Sequence, residues 1–345
     1  MPVHPLLAAA RTTGNPIVEG KTATFIWQGT PAPNIIDDSH NWDDSPQKMR
    51  RTATGLWSLT LEFPSDAYVE YAFTDPKSGK RILDPLNPRR IKSGGNLYNH
   101  YFYMPHGNPS PQIHKQQDIA KGRVTKYSVP TQEFTSSVNR TVYLYRPPVQ
   151  SPVPLLIVYD GSDYLHKAKL NVIIDNLINE KRIRPIAMAM IKNGGPSRTV
   201  EYSCSESTLS LLTECILPFV NDQLDLEPIS KGRYGIMGAS LGGSMALFTA
   251  MRQPKIFRKV ISQSGAFIAP DYQSVIVDLI CYAPRPEIDI WMDTGRLEWL
   301  LDGNRQMYAL LKDKSYHVIY REFSGGHNFT SWRNDITFGL EALYK

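Results

Sequence analysis

Tyr234-Gly235-Ile236-Met237-Gly238-Ala239-Ser240-Leu241-Gly242-Gly243-Ser244-Met245-Ala246-Leu247-Phe248-Thr249-Ala250-Met251 changes character at its centre, from an apolar strand-like run to a helix-like stretch. The join, Gly238 to Gly242, is a Gly-x-Ser-x-Gly string, the signature of a nucleophile elbow. A strand-to-helix turn this tight puts its central residue into strained backbone geometry. Glycines two before and two after Ser240 remove the side chains that would clash there. The hydroxyl of Ser240 then stands exposed above the strand. The N–H of Leu241 falls at the start of the helix, where donors lack intrahelical partners and the helix dipole favours an oxyanion. Gly243 leaves room for that helix to approach the sheet. The bare string also occurs in ordinary glycine-rich turns, and the change from strand to helix at the serine itself is what raises this one above them.

Outward from the elbow, strands alternate with helices from Gly122 onward. Strand-like runs are Arg140 to Tyr145, Pro154 to Tyr159, Ile186 to Ile191, Lys259 to Gln263, Ile288 to Met292 and His317 to Glu322. Helical stretches run from Leu170 to Ile178, Ser207 to Asp222, Asn304 to Leu311 and from about Thr330 to the end. Continuous apolar strands between helices predict a parallel sheet covered on both faces. Before it, Val18 to Met104 carries short alternating runs (Thr22 to Trp27, Gly55 to Leu61, Tyr68 to Phe73, Asn96 to Phe102) punctuated by turn residues, the pattern of a small β-sandwich. The stretch between, with Pro105, Gly107, Pro109 and Pro111, has no hydrophobic period and reads as a linker. The expected architecture is α/β: an α/β-hydrolase with a mainly parallel, helix-flanked sheet over 122–345, a linker over 105–121, and a small all-β immunoglobulin-like sandwich over 1–104.

Composition bounds the function classes. The chain has 345 residues, 41% hydrophobic and 21% charged, which is ordinary for a soluble globular protein. No stretch approaches the roughly 18 apolar residues that span a bilayer. Leu6-Leu7-Ala8-Ala9-Ala10 is too short for the apolar region of a signal peptide. Cys204, Cys215 and Cys281 form no CxxC pair, so neither zinc nor a disulfide framework is expected, and a reducing cytoplasm is the simplest location. The net charge of +5 is mild. Short basic runs such as Lys48-Met49-Arg50-Arg51 and Pro88-Arg89-Arg90 read as solvated faces or a rim that gathers an anionic substrate. Neither nucleic acid nor a membrane is an expected partner, and the oligomeric state is not readable.

A serine hydroxyl is a poor nucleophile near neutral pH and needs a base, oriented in turn by a third group. In the order of α/β-hydrolases the acid follows a later strand and the histidine comes last. Only His317 and His327 follow Ser240. His317 lies inside a strand-like run, whereas His327 sits in the loop Ser324-Gly325-Gly326-His327-Asn328 after one, so His327 is the candidate base. Three carboxylates follow the strand 288–292. Asp302 reads as a helix cap, and spacing alone does not choose between Asp293 and Glu298. The turn Asp160-Gly161-Ser162-Asp163-Tyr164 offers the N–H of Gly161 or Ser162 as a second oxyanion donor beside Leu241.

Six ordered motifs carry a family resemblance: Leu156-Ile157-Val158-Tyr159-Asp160-Gly161, Arg198-Thr199-Val200-Glu201-Tyr202, Gly238 to Gly243, Ser262-Gln263-Ser264-Gly265, Gly295-Arg296-Leu297-Glu298, and Gly325-Gly326-His327-Asn328 with Trp332-Arg333. Together they resemble the esterase D-like α/β-hydrolases, and among these the enterochelin (enterobactin) esterases, whose members also carry an N-terminal β-sandwich. The resemblance covers about Gly122 to the C-terminus. It implies that the acid is Glu298, three residues after Gly295, although some relatives work with a Ser–His dyad. It also implies that Arg198 lies at the cleft rim with Glu201 as its partner, the bland alternative being a structural ion pair. Arg198, Tyr164 and Trp332 are the candidate substrate contacts. Asn41-Trp42-Asp43 and Trp57 resemble carbohydrate-binding sandwich modules of glycogen-processing enzymes. Tryptophans in a small sandwich are more often core, however, so the sandwich is expected to be a lid or wall of the cleft.

The reaction implied is serine carboxylester hydrolysis through an acyl-enzyme, without metal or organic cofactor. The substrate implied is a small-molecule ester, a catecholate siderophore trilactone such as enterobactin or its iron complex. A carbohydrate or feruloyl esterase is the runner-up, and a catalytically idle glucan-binding protein is the reading from another class.

Overall fold

The computed structural model describes residues 3–42, 45–94, 97–135 and 138–345, so Asp43 and Asn96 lie outside the described residues. The apolar runs of the C-terminal region form one eight-stranded sheet. Its strands, numbered in chain order, are β1 (Arg123–Pro130), β2 (Asn139–Arg146), β3 (Leu155–Val158), β4 (Ala187–Ile191), β5 (Gly235–Ala239), β6 (Lys259–Gln263), β7 (Asp289–Gly295) and β8 (His317–Phe323). They lie in the order β1-β2-β4-β3-β5-β6-β7-β8. β1 and β2 are an antiparallel hairpin, β2 is antiparallel to β4, and every pair from β4 through β3, β5 and β6 to β7 is parallel. All residues of β3, β4 and β5 are buried, which is why these strands read as unbroken apolar runs. Ile157, Ala189, Ile236, Val260 and Ile290 of the sheet share one core with Met245, Leu247 and Ala250 of the helix Leu241–Arg252. This is the α/β-hydrolase architecture.

β1 is absent from the sequence expectation. It is the edge strand, largely exposed, and its alternating Arg-Val-Thr-Lys-Tyr-Ser carries too little apolar signal to stand out. The expected linker is also more ordered than its composition suggests. Pro111–Ile113 forms a 3-10 turn with Gln112 and Ile113 buried, and Asn176 Nδ2 donates to the carbonyls of Gln112 (2.7 Å) and His114 (2.9 Å).

By Cα proximity the chain divides into two compact units. One comprises residues 1–109 with Gly295–Trp299 and Phe323–His327; the other comprises Ser110–Thr294, Leu300–Glu322 and Asn328–Lys345. The two short segments that begin at the last residues of β7 and β8 thus group with the N-terminal residues.

The N-terminal region is a β-sandwich. One antiparallel sheet orders Ile17–Glu19, Thr22–Gln28, Leu56–Glu62 and Arg50–Ala53; the other orders Gln47–Lys48, Asn34–Asp37, Tyr68–Thr74, Leu97–Tyr103 and Arg90–Gly94, with Arg81–Ile82 beside Tyr68–Thr74. Aromatic rings fill the space between the sheets, Phe25 meeting Tyr71 edge-on at 4.9 Å and Phe102 at 5.8 Å. Trp57 is half-buried, packs on this core, and donates from Nε1 to the Gly29 carbonyl at 3.0 Å. Arg50 and Arg51 are exposed on an edge strand beside buried Met49, where charge protects an open edge. The apolar patch near the N-terminus is the helix Pro5–Thr13, which buries Leu7 and Ala10 against Ile26 and Leu56. Among the described residues, no helix is long and apolar enough to cross a membrane.

Candidate active site

Ser240 holds φ 58° and ψ −126° between β5 and the helix Leu241–Arg252, a conformation that side chains rarely adopt. The surrounding backbone locks it. Ser240 N–H donates to the Gln263 carbonyl at 2.9 Å, and its own carbonyl accepts from Gly243 (2.9 Å), Ser244 (3.1 Å) and Ala266 (3.1 Å). The flanking glycines are obligatory for close approach: a Cβ on Gly238 would stand 2.3 Å from the Gly242 carbonyl oxygen. One on Gly243 would stand 2.8 Å from Ser262 Oγ, so the helix does press on β6 as its sequence implies. Leu241 and Gly242, at the head of the helix, have no intrahelical acceptor for their N–H groups.

The turn after β3 is a short helix, Gly161–His166, rather than a loop. Asp160 precedes it with φ 51°, and its carbonyl accepts from Asp163 (2.9 Å) and Tyr164 (3.1 Å), so the N–H groups of Gly161 and Ser162 are the leading ones. Gly161 is fixed in identity, since a Cβ there would meet the Met190 carbonyl carbon at 2.2 Å. This turn touches the elbow helix: a Cβ on Gly242 would be 3.0 Å from Asp160 Oδ2.

Arg198 corrects the sequence expectation. Its guanidinium does not pair with Glu201 but grips Asp160 in a fork, Nε to Oδ1 and Nη2 to Oδ2, both at 2.7 Å. Burial works against the Arg198 charge, but the hydrogen bonds and charge of Asp160 outweigh it and raise its pKa. Asn193 Nδ2 also donates to Asp160 Oδ1 at 2.5 Å, and Asp160 N–H donates to Tyr202 Oη at 3.1 Å. Glu201 turns instead to the buried Arg140, accepting from Nη1 at 3.0 Å and Nη2 at 2.7 Å.

Tyr164 and Trp332, expected to touch substrate, are buried at 0% and 4% exposure and hold the floor beneath the strand ends. Tyr164 Oη donates to Gln263 Oε1 at 3.0 Å, and Trp332 Nε1 donates to Ser264 Oγ at 2.8 Å. Burial, then the charges of Asp293 and Asp160, push the Tyr164 hydroxyl far above its ordinary pKa and keep it a donor. Asp293 belongs to the same floor, accepting from Trp291 Nε1 (2.9 Å) and from Gln263 Nε2 (3.2 Å at Oδ2).

His327 and Glu298 lie in the other unit. His327 Nδ1 is hydrogen-bonded to Glu298 Oε2, while Glu298 Oε1 accepts from Gly295 N–H at 2.6 Å. An ionised carboxylate only accepts, so Nδ1 is the donor in this bond. Trp299 lies across the imidazole, ring centroids 4.5 Å apart and planes tilted 41°. The sequence reading missed Trp299 and Asp160 as site residues, though one adjoins Glu298 and the other Gly161. His317 is a strand residue paired with Asp289 at 2.7 Å. Asp302 lies inside the first turn of the helix Leu301–Asp313, bonded to Arg305, and is not its cap.

Comparison with known proteins bears on this geometry. Residues 133–343 match the family model described as "Putative esterase". The chain is 22% identical to the iron(III) enterobactin esterase of Escherichia coli K12, over 89% of this chain and 84% of that protein. The fold matches the solved ferric enterobactin esterase of Salmonella typhimurium with a TM-score of 0.78 at 20% identity, covering 93% of each chain. A solved ferulic acid esterase matches with a TM-score of 0.56 at 14% identity, covering 65% of this chain and 98% of that one.

Proposed function

This chain belongs to the esterase family and is a hydrolase acting on esters, and from that premise we propose a serine carboxylesterase that works through an acyl-enzyme. Ser240 Oγ attacks the ester carbonyl and passes its proton to His327 Nε2. Glu298 orients the imidazole by accepting from Nδ1, so that Nε2 serves as the proton acceptor. The N–H groups of Leu241 and of Gly161 or Ser162 receive the charge that develops on the carbonyl oxygen. Collapse of the tetrahedral intermediate expels the alcohol, protonated by His327, and water repeats the sequence to release the acid. The observation that carries this reading is the strained backbone of Ser240, φ 58° and ψ −126°, at the junction of a buried strand and a helix. Strain of this kind persists where function retains it.

For the substrate we propose a catecholate siderophore trilactone of the enterobactin type. Likeness to the enterobactin esterases extends over the sandwich as well as the hydrolase region, whereas likeness to the ferulic acid esterase takes in about the length of the hydrolase region alone. That partial match favours a feruloyl ester as the second reading. The cysteines Cys204, Cys215 and Cys281 are free thiols, which supports a reducing, cytoplasmic setting.

The test is hydrolysis of p-nitrophenyl acetate, enterobactin and a feruloylated sugar by the wild type and by Ser240→Ala. The variant should lose at least about 10⁴-fold in kcat, and the wild type should show its highest kcat/KM on enterobactin. A Ser240→Ala protein with wild-type turnover would sink the mechanism. A preference for the feruloylated sugar would move the assignment to the second reading. A fluorophosphonate that leaves intact Ser240 unlabelled would favour an idle binder.

A further inference from the structure

Gly326 immediately precedes His327, and its Cα lies against the carboxyl group of Asp38. A Cβ on Gly326 would stand 2.1 Å from Asp38 Cγ and 2.3 Å from its Oδ1. Asp38 is 2% exposed and is held from two directions, Trp42 Nε1 donating to Oδ1 at 3.2 Å and the Glu70 N–H donating to Oδ2 at 2.8 Å. Two residues earlier in the same loop, the Ser324 carbonyl accepts from the N–H of Tyr68, the first residue of the sandwich strand Tyr68–Thr74, at 3.0 Å. The loop before His327 is therefore fixed at Ser324 by a hydrogen bond and at Gly326 by packing.

The Glu298 segment is tied to the same frame. Arg296 N–H donates to the Phe323 carbonyl at 2.8 Å and Leu297 N–H to the Gly325 carbonyl at 3.1 Å, so the two segments hold each other in parallel course. The side chain of Leu297 packs on the aromatic core of the sandwich. All of these anchors, on both segments, lie in the unit that contains the sandwich.

We propose that the sandwich is the mount of the catalytic base, with Asp38 as the positioning residue whose carboxyl seats Gly326 and so sets the direction in which His327 presents Nε2. This rests on the reading of His327 as the base, and it replaces the lid or wall expected of the sandwich with a part in the chemistry. The carboxyl is kept at a cost. Burial, then the neighbouring charge of Glu70, pushes Asp38 well above the ordinary carboxylate range. A small apolar residue would avoid that cost, but it would leave the Trp42 and Glu70 donors unanswered and open a gap beneath Gly326. The left-handed region is not what demands glycine at 326; contact with Asp38 is. A displacement of His327 by a fraction of an ångström falls on kcat, because proton transfer depends on the position of Nε2 while ester binding does not.

The experiment uses the full chain with p-nitrophenyl acetate, rates being normalised to the sites that a fluorophosphonate titrates. Gly326→Ala drives a methyl group into Asp38 and should lower kcat about tenfold or more with KM within about twofold. Asp38→Ala should also lower kcat, and Asp38→Asn, which keeps the shape beneath Gly326 but can accept from only one of the two donors, should lower it less. In the Gly326→Ala background, Asp38→Ala should recover part of the lost rate, because it removes the atoms that the methyl group meets. That non-additivity marks a direct contact. Wild-type kcat in Gly326→Ala, or a loss that Asp38→Ala leaves unchanged, would overturn the assignment. Should Gly326→Ala fail to fold, the contrast between Asp38→Ala and Asp38→Asn decides it, and equal kcat in the two overturns it. Failure of the esterase reading shows separately, as full turnover in Ser240→Ala.

Discussion

The Ser240 elbow and the His327–Glu298 corner are built in opposite ways. The elbow is made mainly from its own neighbourhood: Gly238 and Gly242 touch each other and the Ser240 carbonyl accepts from Gly243 and Ser244, with Gln263 and Ala266 at and beyond the end of β6 adding one bond each. The corner is assembled at long range, with His327 meeting Glu298 across two loops that bond to each other and to Tyr68 and rest on Asp38. A nucleophile needs one strained residue, which a short sequence can specify by itself. A base needs a direction, which only tertiary structure supplies. The corner is therefore the part that distant substitutions can disturb.

The largest losses are expected within the corner itself. His327→Ala removes the proposed base and should cost about 10⁴- to 10⁶-fold in kcat, on the order of 5–8 kcal/mol. Glu298→Gln keeps the geometry but offers an amide where a carboxylate accepted the Nδ1 proton, so the wrong tautomer is favoured, with a loss of about 10²- to 10⁴-fold. Single-turnover kinetics at matched folded fraction measure both. If Glu298→Gln kept wild-type kcat, Glu298 would be an anchor for Gly295 N–H alone and the site would work as a dyad.

How much was legible follows the same division. The strained turn at Ser240 was, because a tight strand-to-helix turn demands glycine at fixed offsets. The loop position of His327 after β8 was, by its place in the chain. Glu298 and Asp293 both follow the apolar part of β7, and spacing could not separate them. What separates them is that Glu298 hooks back onto Gly295 and reaches His327, while Asp293 is occupied by Trp291 and Gln263. Arg198 and Glu201 stand three apart on one short helix, a spacing that suggests a pair. Each found a buried partner from another element, Asp160 and Arg140, and tertiary geometry overrode local spacing. The N-terminal helix Pro5–Thr13 and the edge strand β1 escaped notice because neither carries a strong apolar period.

The elbow side has long-range supports of its own, and these should fail as stability rather than as chemistry. Arg140 and Glu201 are 3% and 10% exposed in their side chains. Burial opposes the Glu201 charge, but the hydrogen bonds and charge of Arg140, with Ser197 and the Gly194 N–H, outweigh it and hold Glu201 below its ordinary value of 4.5. A carboxyl lowered in the folded state contributes stability above its unfolded pKa and loses it as pH falls through the folded value. Urea unfolding of the wild type should therefore weaken progressively below about pH 4.5. Glu201→Gln, which leaves the Arg140 charge uncompensated, should be less stable by about 3–5 kcal/mol at neutral pH and should show a shallower acid limb. Equal stability of variant and wild type across that range would mean the pair is not a support.

A smaller effect distinguishes an Arg198 that acts on the substrate from one that acts on the backbone. Arg198→Lys keeps the positive charge and loses the planar fork that holds both oxygens of Asp160. Asp160 is the left-handed residue from which the N–H groups of Gly161 and Ser162 start, and it touches the elbow helix at Gly242. Loosening it should turn those donors away from the developing oxyanion, lowering kcat about tenfold, or about 1.4 kcal/mol, with KM little changed. An arginine that bound substrate would behave the other way, raising KM for an anionic ester at constant kcat and leaving uncharged p-nitrophenyl acetate untouched. Michaelis parameters on the two esters separate these cases. A kcat loss common to both would place Arg198 beside Asp38 as a residue that acts through the backbone, and the elbow would then share with the corner its dependence on a distant carboxylate.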